Sequence, residues 1–340
     1  MSKITDLFFG GGLAGIRVEG LDTRDLRYLQ KHYLFSSTTP AGPMKQYPVV
    51  SIDWQLRRRQ ASVAPADPQG EVRIAVANAR YERPDEGLSL IESEYSVKIE
   101  TTVGQVEIVP GCSTSRVVIW REEVQSGLFP LFLFPLVLAQ PLALAGCCLL
   151  HCALVNYAGK GFLFLGESMS GKSTVAAACA LAGAEVLSDD SGILGWLSGG
   201  PVACGFRRRA TMRPETYKRL TCGRISSWRQ LGSTVDGQVI FDLPWGPGST
   251  GPICVQQVIL LGIRHEQRVS TKRPVSDAAT LAALIAGTTS YFLSPRFPTE
   301  RDRMMTLLKG LACAAQSYEV RLGSDLLSEP VATIVRLLAK

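Results

Sequence analysis

The chain has 340 residues, 46% of them hydrophobic and 19% charged, which describes an ordinary folded protein long enough for two cores and excludes a disordered one. Its nine cysteines are an odd number, run from Cys112 to Cys313 and include no C-x-x-C pair, which excludes a secreted disulfide scaffold and predicts reduced, mostly buried thiols in a cytoplasmic protein. The net charge of +6 is local: between Gly205 and Arg229 eight basic residues face one acid, Glu215, so the remainder is close to neutral.

In chain order, Met1 to Gly20 carries one Lys and a weak apolar patch broken by Gly10-Gly11-Gly12, without a convincing cleavage site, so no signal peptide is expected. From Ile16 short strand-like runs alternate with turns. The spacing of Leu26, Leu29 and Tyr33 predicts a helix over 23–33. Runs at 47–54, 72–77, 88–96, 96–102, 105–109 and 116–120 predict strands of a mostly antiparallel sheet. No motif in this half carries chemistry, and Arg57-Arg58-Arg59 opens a polar, Pro-containing loop read as solvated. A smaller, mostly β N-terminal domain over residues 1–125 is expected, with a role in substrate or partner binding.

After Gln125 apolar runs and helices alternate. The stretch from Leu128 to Val155 is long and apolar enough to span a bilayer, but Pro130, Pro135 and Pro141 would break a spanning helix repeatedly. It reads as a buried helix over 128–145 and a strand over 147–157, with no membrane insertion. Strands follow at 161–165, 184–187, 238–243, 256–263 and 317–322, and helices at 175–181, 277–286, 300–315 and from 328. This is an α/β domain over residues 126–340.

Gly166-Glu167-Ser168-Met169-Ser170-Gly171-Lys172-Ser173-Thr174 fits G-x-x-x-x-G-K-[ST] between a predicted strand and a predicted helix. Successive N–H groups of such a loop point at a polyphosphate, and the following helix adds the positive end of its dipole. Lys172 would reach the β and γ phosphates and Ser173 would hold Mg²⁺. Asp189 and Asp190 follow the next strand, and a right-handed strand–helix–strand crossover places them beside the loop. Neighbours at a strand end point to different sides, so one can serve the metal and the other an incoming hydroxyl. Arg207, Arg208, Arg209 and Arg213 return near the same edge, where guanidinium groups bind phosphates or an acidic peptide. The run lacks interleaved aromatics, and nucleic acid is not the expected partner. Cys147, Cys148, His151 and Cys152 would scatter on both faces of a strand, which argues against a zinc cluster.

The run from Leu150 to Thr174, followed by Gly183 to Asp190, resembles the catalytic domain of the bacterial HPr kinase/phosphorylase family, relatives of the phosphoenolpyruvate carboxykinases. The likeness is strong over about forty residues and weaker over Phe206 to Glu215, Val258 to Ile263 and Tyr318 to Gly323. It implies an α/β, HPr-kinase/phosphoenolpyruvate-carboxykinase-like P-loop core. It also implies ATP and Mg²⁺ as cofactors and transfer of phosphate to a serine hydroxyl of a protein or precursor peptide. Carried over, it makes one of Asp189 and Asp190 the base, Asp189 being the first choice, makes Ser173 and Asp190 the metal residues, and places His151 near the transferred phosphate with Lys172. Thr174 stands where family kinases commonly carry an acid, so the metal shell falls to Asp190 or Glu167. The first half does not resemble the family's usual N-terminal domain, so HPr is not the implied acceptor. Two other readings stay open: a small-metabolite kinase, and a non-catalytic nucleotide-binding regulatory module. A homo-oligomer is compatible with all three.

Overall fold

A computed structural model describes residues 4–9, 13–19, 23–30, 33, 50–57, 72–76, 88–92, 96–101, 104–111, 114–120, 134–207, 209–221, 228–234, 237–242, 251–263, 267–288 and 295–338. The loop over 58–70, residues 128–133, Arg208, Arg224, Cys112 and Cys222 lie outside the described residues.

Strands β1 (Ile4–Phe9) and β2 (Ala14–Glu19) form a hairpin, and α1 (Thr23–Gln30) follows. The expected strands begin at Ile16 and omit β1. Leu7 and Phe9 point into the core while Asp6 pairs with Arg17 across the hairpin. Then come β3 (Val50–Arg57), β4 (Val72–Val76), β5 (Leu88–Glu92), β6 (Val97–Thr101), β7 (Gly104–Ile108) and β8 (Thr114–Trp120). Together they make an eight-stranded sheet in the order β1-β2-β3-β8-β7-β6-β5-β4. The ladder from β4 to β8 is antiparallel, and from β5 onward consecutive strands are separated by five residues or fewer, which suits antiparallel neighbours. Strand β3 is parallel to both neighbours, because the chain enters it through α1 and leaves it by a long path.

The second part starts with α2 (Phe134–Leu144), an apolar helix with Pro141 inside it. No described helix is long and apolar enough to cross a membrane. The expected strand over 147–157 is two, β9 (Cys148–Leu150) and β10 (Ala153–Tyr157), separated at His151 and Cys152. Next are β11 (Lys160–Leu165), α3 (Lys172–Leu181), β12 (Glu185–Ser188), β13 (Gly192–Leu197), β14 (Gly200–Gly205), β15 (Arg209–Met212), α4 (Pro214–Thr221), β16 (Arg229–Ser233) and β17 (Val239–Asp242). The chain ends with β18 (Ile253–Ile263), β19 (Thr271–Pro274), α5 (Asp277–Gly287), α6 (Pro298–Ala314), β20 (Gln316–Leu322), α7 (Asp325–Ser328) and α8 (Pro330–Leu338).

A nine-stranded mixed sheet runs β12-β10-β11-β18-β14-β13-β9, with β20 on β18 and β19 on β20. Alternation along its strands feeds two cores. Leu154, Leu163, Leu165 and Val258 join residues of α2, α5 and α6 on one face. Val155, Phe162, Phe164 and Leu261 join α3 and α8 on the other. The result is a mixed α/β architecture with helices on both faces of a sheet. A small third sheet, β15-β17-β16, packs Ala210, Met212 and Phe241 into the second core.

The eight-stranded sheet comes from residues before 121 and the other two sheets from residues after 147, yet the first core draws on both parts. Tyr33 stacks on Phe206 at 4.7 Å between ring centroids, and Phe9 approaches the same ring at 5.9 Å. The Gln140 amide, fully buried, donates to Val109 O at 3.0 Å and to Glu300 Oε1 at 2.8 Å, which ties β7's turn to α2 and α6.

Candidate functional site

Strands β11 and β12 run parallel with β10 between them, antiparallel to both, so their carboxyl ends share one edge. The 166–174 loop and the Asp189–Asp190 pair leave the sheet there. Gly166 sits so close to its surroundings that a Cβ would lie 2.4 Å from Ser170 Oγ and 2.9 Å from Leu261 O. Gly171 caps α3 at φ +97° and no side chain caps that helix, which leaves first-turn N–H groups without a side-chain partner. Met169, at the loop tip, takes the left-handed conformation at φ +66° and is 71% exposed.

Lys172 is buried, and its ammonium donates to the loop's own carbonyls, Gly166 O at 2.6 Å and Glu167 O at 2.8 Å. The hydrogen bonds hold the cation inside the loop's curve, where a desolvated charge requires partners.

The two aspartates have opposite fates. Asp189 is buried; its Oδ2 accepts from Thr211 N at 3.1 Å, and its Oδ1 has no hydrogen-bond partner. Burial, then the neighbouring Asp190 charge, pushes its carboxyl up to about 7, against the pull of Thr211 N–H, the Ser173 hydroxyl and Arg207. Burial also acts to raise Asp190, but Arg207 and His151 outweigh it and hold this carboxyl well below the usual range. Arg207 Nη1 lies 2.6 Å from Asp190 Oδ2, and Ser191 Oγ donates to the same oxygen at 2.9 Å. His151 Nδ1 lies 3.2 Å from Asp190 Oδ1 and 2.8 Å from Asp190 O. Both neighbours are acceptors, so the partners place a proton on Nδ1. One ionised carboxylate beside one that is neutral or ionised near pH 7 is an arrangement that separates acid–base roles.

No family model matches this chain, and no curated protein matches it. The site therefore stands on its own geometry. Of the residues singled out from sequence, the structure brings Lys172, Ser173, Asp189, Asp190, His151 and Arg207 to one sheet edge. Arg213 reaches the loop tip, its Nη2 at 2.8 Å from Met169 Sδ. Arg209 is on β15, two residues from Thr211, and its Nε is buried without a hydrogen-bond partner. Cys147 and Cys152 are buried thiols pushed up to about 12 by that burial, and Cys148 is pushed higher still. Among the described residues no three His, Cys, Asp or Glu side chains are grouped to hold a metal.

Sequence reasoning missed Thr211 and Ser191. Thr211 acts through its backbone N–H, which any residue supplies, so no side-chain signal could mark it. Ser191 is the last residue of Ser188-Asp189-Asp190-Ser191, a tight turn in which Ser188 Oγ also donates to Ser191 O at 2.6 Å. That signal was present in the sequence.

Mg²⁺ takes oxygen ligands, and commonly only one or two from protein beside phosphate oxygens and waters. The Ser173 hydroxyl fits that pattern as one hard protein oxygen, with phosphate oxygens and waters to complete the shell, and it lies beside the Asp189 carboxylate. Both Asp190 carboxylate oxygens are already engaged by Arg207, Ser191 and His151.

Proposed function

We propose that the protein is an ATP- and Mg²⁺-dependent kinase that phosphorylates a serine hydroxyl of a protein or precursor peptide. Its core would be P-loop, HPr-kinase/phosphoenolpyruvate-carboxykinase-like. The observation that carries the reading is Asp189, a buried carboxylate with a raised pKa and one unpartnered oxygen, next to a loop of phosphate-binding pattern. Phosphoryl transfer asks the protein for positioning, charge neutralisation and one base.

ATP with Mg²⁺ would supply the phosphoryl group and neutralise the charge that develops on it. The uncapped first turn of α3 offers N–H donors to phosphate, and Lys172 can exchange the loop carbonyls for phosphate oxygens. Ser173 would hold the metal. Asp189 Oδ1 would take the proton from the acceptor hydroxyl, a task suited to a group whose pKa lies near the working pH. His151, Arg207 and Ser191 keep Asp190 ionised, and that charge in turn keeps Asp189 basic. The resemblance of residues 150–174 and 183–190 to the HPr kinase/phosphorylase family supports the same assignment.

The test is to incubate the full chain with γ-labelled ATP and Mg²⁺ together with peptides encoded by neighbouring genes, and to locate the label by mass spectrometry. Phosphoserine in a peptide is the expected result. Label on small hydroxylated metabolites alone would move the reading to a metabolite kinase. ATP binding without transfer to any acceptor would replace it with a regulatory module.

A further inference from the structure

Strand β15 lies at the edge of the three-stranded sheet, paired on one side only, with β17. Ala210 and Met212 point into the core, so Arg209 and Thr211 occupy its outer face. Thr211 N–H touches Asp189 and marks the reaction centre. Two residues onward is Arg213, whose guanidinium reaches the loop tip and, among the described residues, meets the Met169 thioether, a weak acceptor. Two residues back is Arg209, on the side away from the loop. Its charge lies close enough to the Tyr28 phenol of α1 to ease that group's ionisation against the effect of burial. The row therefore runs from the loop, through Asp189, to α1.

Arg209 lies on the strand whose Thr211 N–H reaches Asp189, and its buried Nε–H has no hydrogen-bond partner among the described residues. Leaving such a group unmet is costly, and a ligand that meets it removes the cost. Asp242 stands opposite Arg209 in the sheet, but its carboxylate is bonded to Arg229 at 3.4 Å. Among the described residues of the three strands, Arg209 and Arg229 share one acid, Asp242.

We propose that the outer face of β15 docks the acceptor as an acidic segment, with Arg209 binding a carboxylate about one strand repeat, ~6–7 Å, from the hydroxyl at Asp189. The carboxylate is either an acidic side chain within two residues of the acceptor serine or the free carboxyl end of the segment. This rests on the kinase reading for the meaning of "acceptor", though the binding it predicts does not depend on transfer.

The experiment measures fluorescence anisotropy of labelled seven-residue alanine peptides with a central serine, on the full chain with Mg²⁺ and a non-hydrolysable ATP analogue. One set carries Glu, Gln or Lys at each position within two of the serine, with amidated ends. A second set ends at the serine as free acid or amide. At one position, or at the free acid, binding is expected to be at least ~10-fold tighter than for the neutral counterpart. Arg209→Gln should bring that ratio to about one and Arg209→Lys should restore part of it. Unchanged affinity for the nucleotide analogue shows that both variants fold. Equal or undetectable binding of acidic and neutral peptides, or a ratio that survives Arg209→Gln, overturns the proposal. Acid-selective binding without any phosphoryl transfer would sink the kinase reading and keep this one; transfer without acid selectivity would do the reverse.

Discussion

The two ends of the nine-stranded sheet are built from the same strands and differ in what they bury. At the carboxyl ends of β11 and β12 sit a buried lysine, a buried aspartate with an unpartnered oxygen, and a helix start without a side-chain cap. At the amino ends of β11 and β18 a cleft of about 480 Å³ is lined by Lys160, Trp196, Pro201, Cys254, Gln256 and Gln316. That cleft has room for a ligand, yet its polar groups are ordinary: Gly161 N–H donates to Gln256 Oε1 at 2.5 Å, and Trp196 lies against α6 at Gly310. Volume alone does not mark chemistry. Uncompensated polar groups held out of water do, because the fold bears a cost for them that packing does not explain.

This contrast can be broken by measurement. The largest effect belongs to Asp189→Asn, which should lower kcat by about 10²–10⁴-fold while nucleotide affinity stays within a few fold. Steady-state turnover and a nucleotide titration check it, and unaltered turnover would remove the difference between the two ends. Lys172→Met comes next. Losing a charge-assisted contact to phosphate should weaken nucleotide binding by about 1.5–3 kcal/mol, read by the same titration.

The pH dependence follows from the raised carboxyl of Asp189. Turnover should rise with pH and level off above about 7, because the base must be unprotonated. Stability has the opposite sign. A group whose folded pKa exceeds its unfolded value holds the extra proton in the folded state, so its contribution falls as pH climbs from ~4 to about 7. Asp189→Asn should therefore melt higher than wild type at pH 8, by roughly 2–4 °C for each kcal/mol relieved, with the gap closing toward pH 5. Thermal melts at the two pH values decide it, and a constant gap would contradict the shift. The smallest effect is expected at the other end. Trp196→Ala should cost ~1 kcal/mol of stability and leave turnover within about twofold.

The loop and the aspartate pair were legible in the sequence because each is a short run whose residue types and order carry the chemistry. Their common edge followed from one rule of chain handedness. What stayed hidden depends on partners far along the chain. The pairing of Arg207 with Asp190 needs β14 to return beside β12's end, and neither strand of the β13–β14 hairpin was expected. The break at His151 was masked by a run from Cys147 to Val155 that is apolar except for that one residue and holds no Gly or Pro to mark where the strand stops. The parallel pairing of β3 was invisible because residue alternation reports which face is buried and not the direction of the neighbour.

Tyr33 and Phe9 close over Phe206, and Phe206 immediately precedes the arginine that holds Asp190. A chain cut near residue 125 would leave that ring, with Phe297 and the α2 face, open to water, and apolar area costs about 25 cal/mol for each Å² exposed. The front half is thus a wall of the half that carries the candidate site, and the fragment 126–340 should be recovered as aggregate, whereas the two pieces co-expressed should reassemble. For anyone exchanging front halves, the seam to preserve is the Phe9–Tyr33–Phe206 cluster.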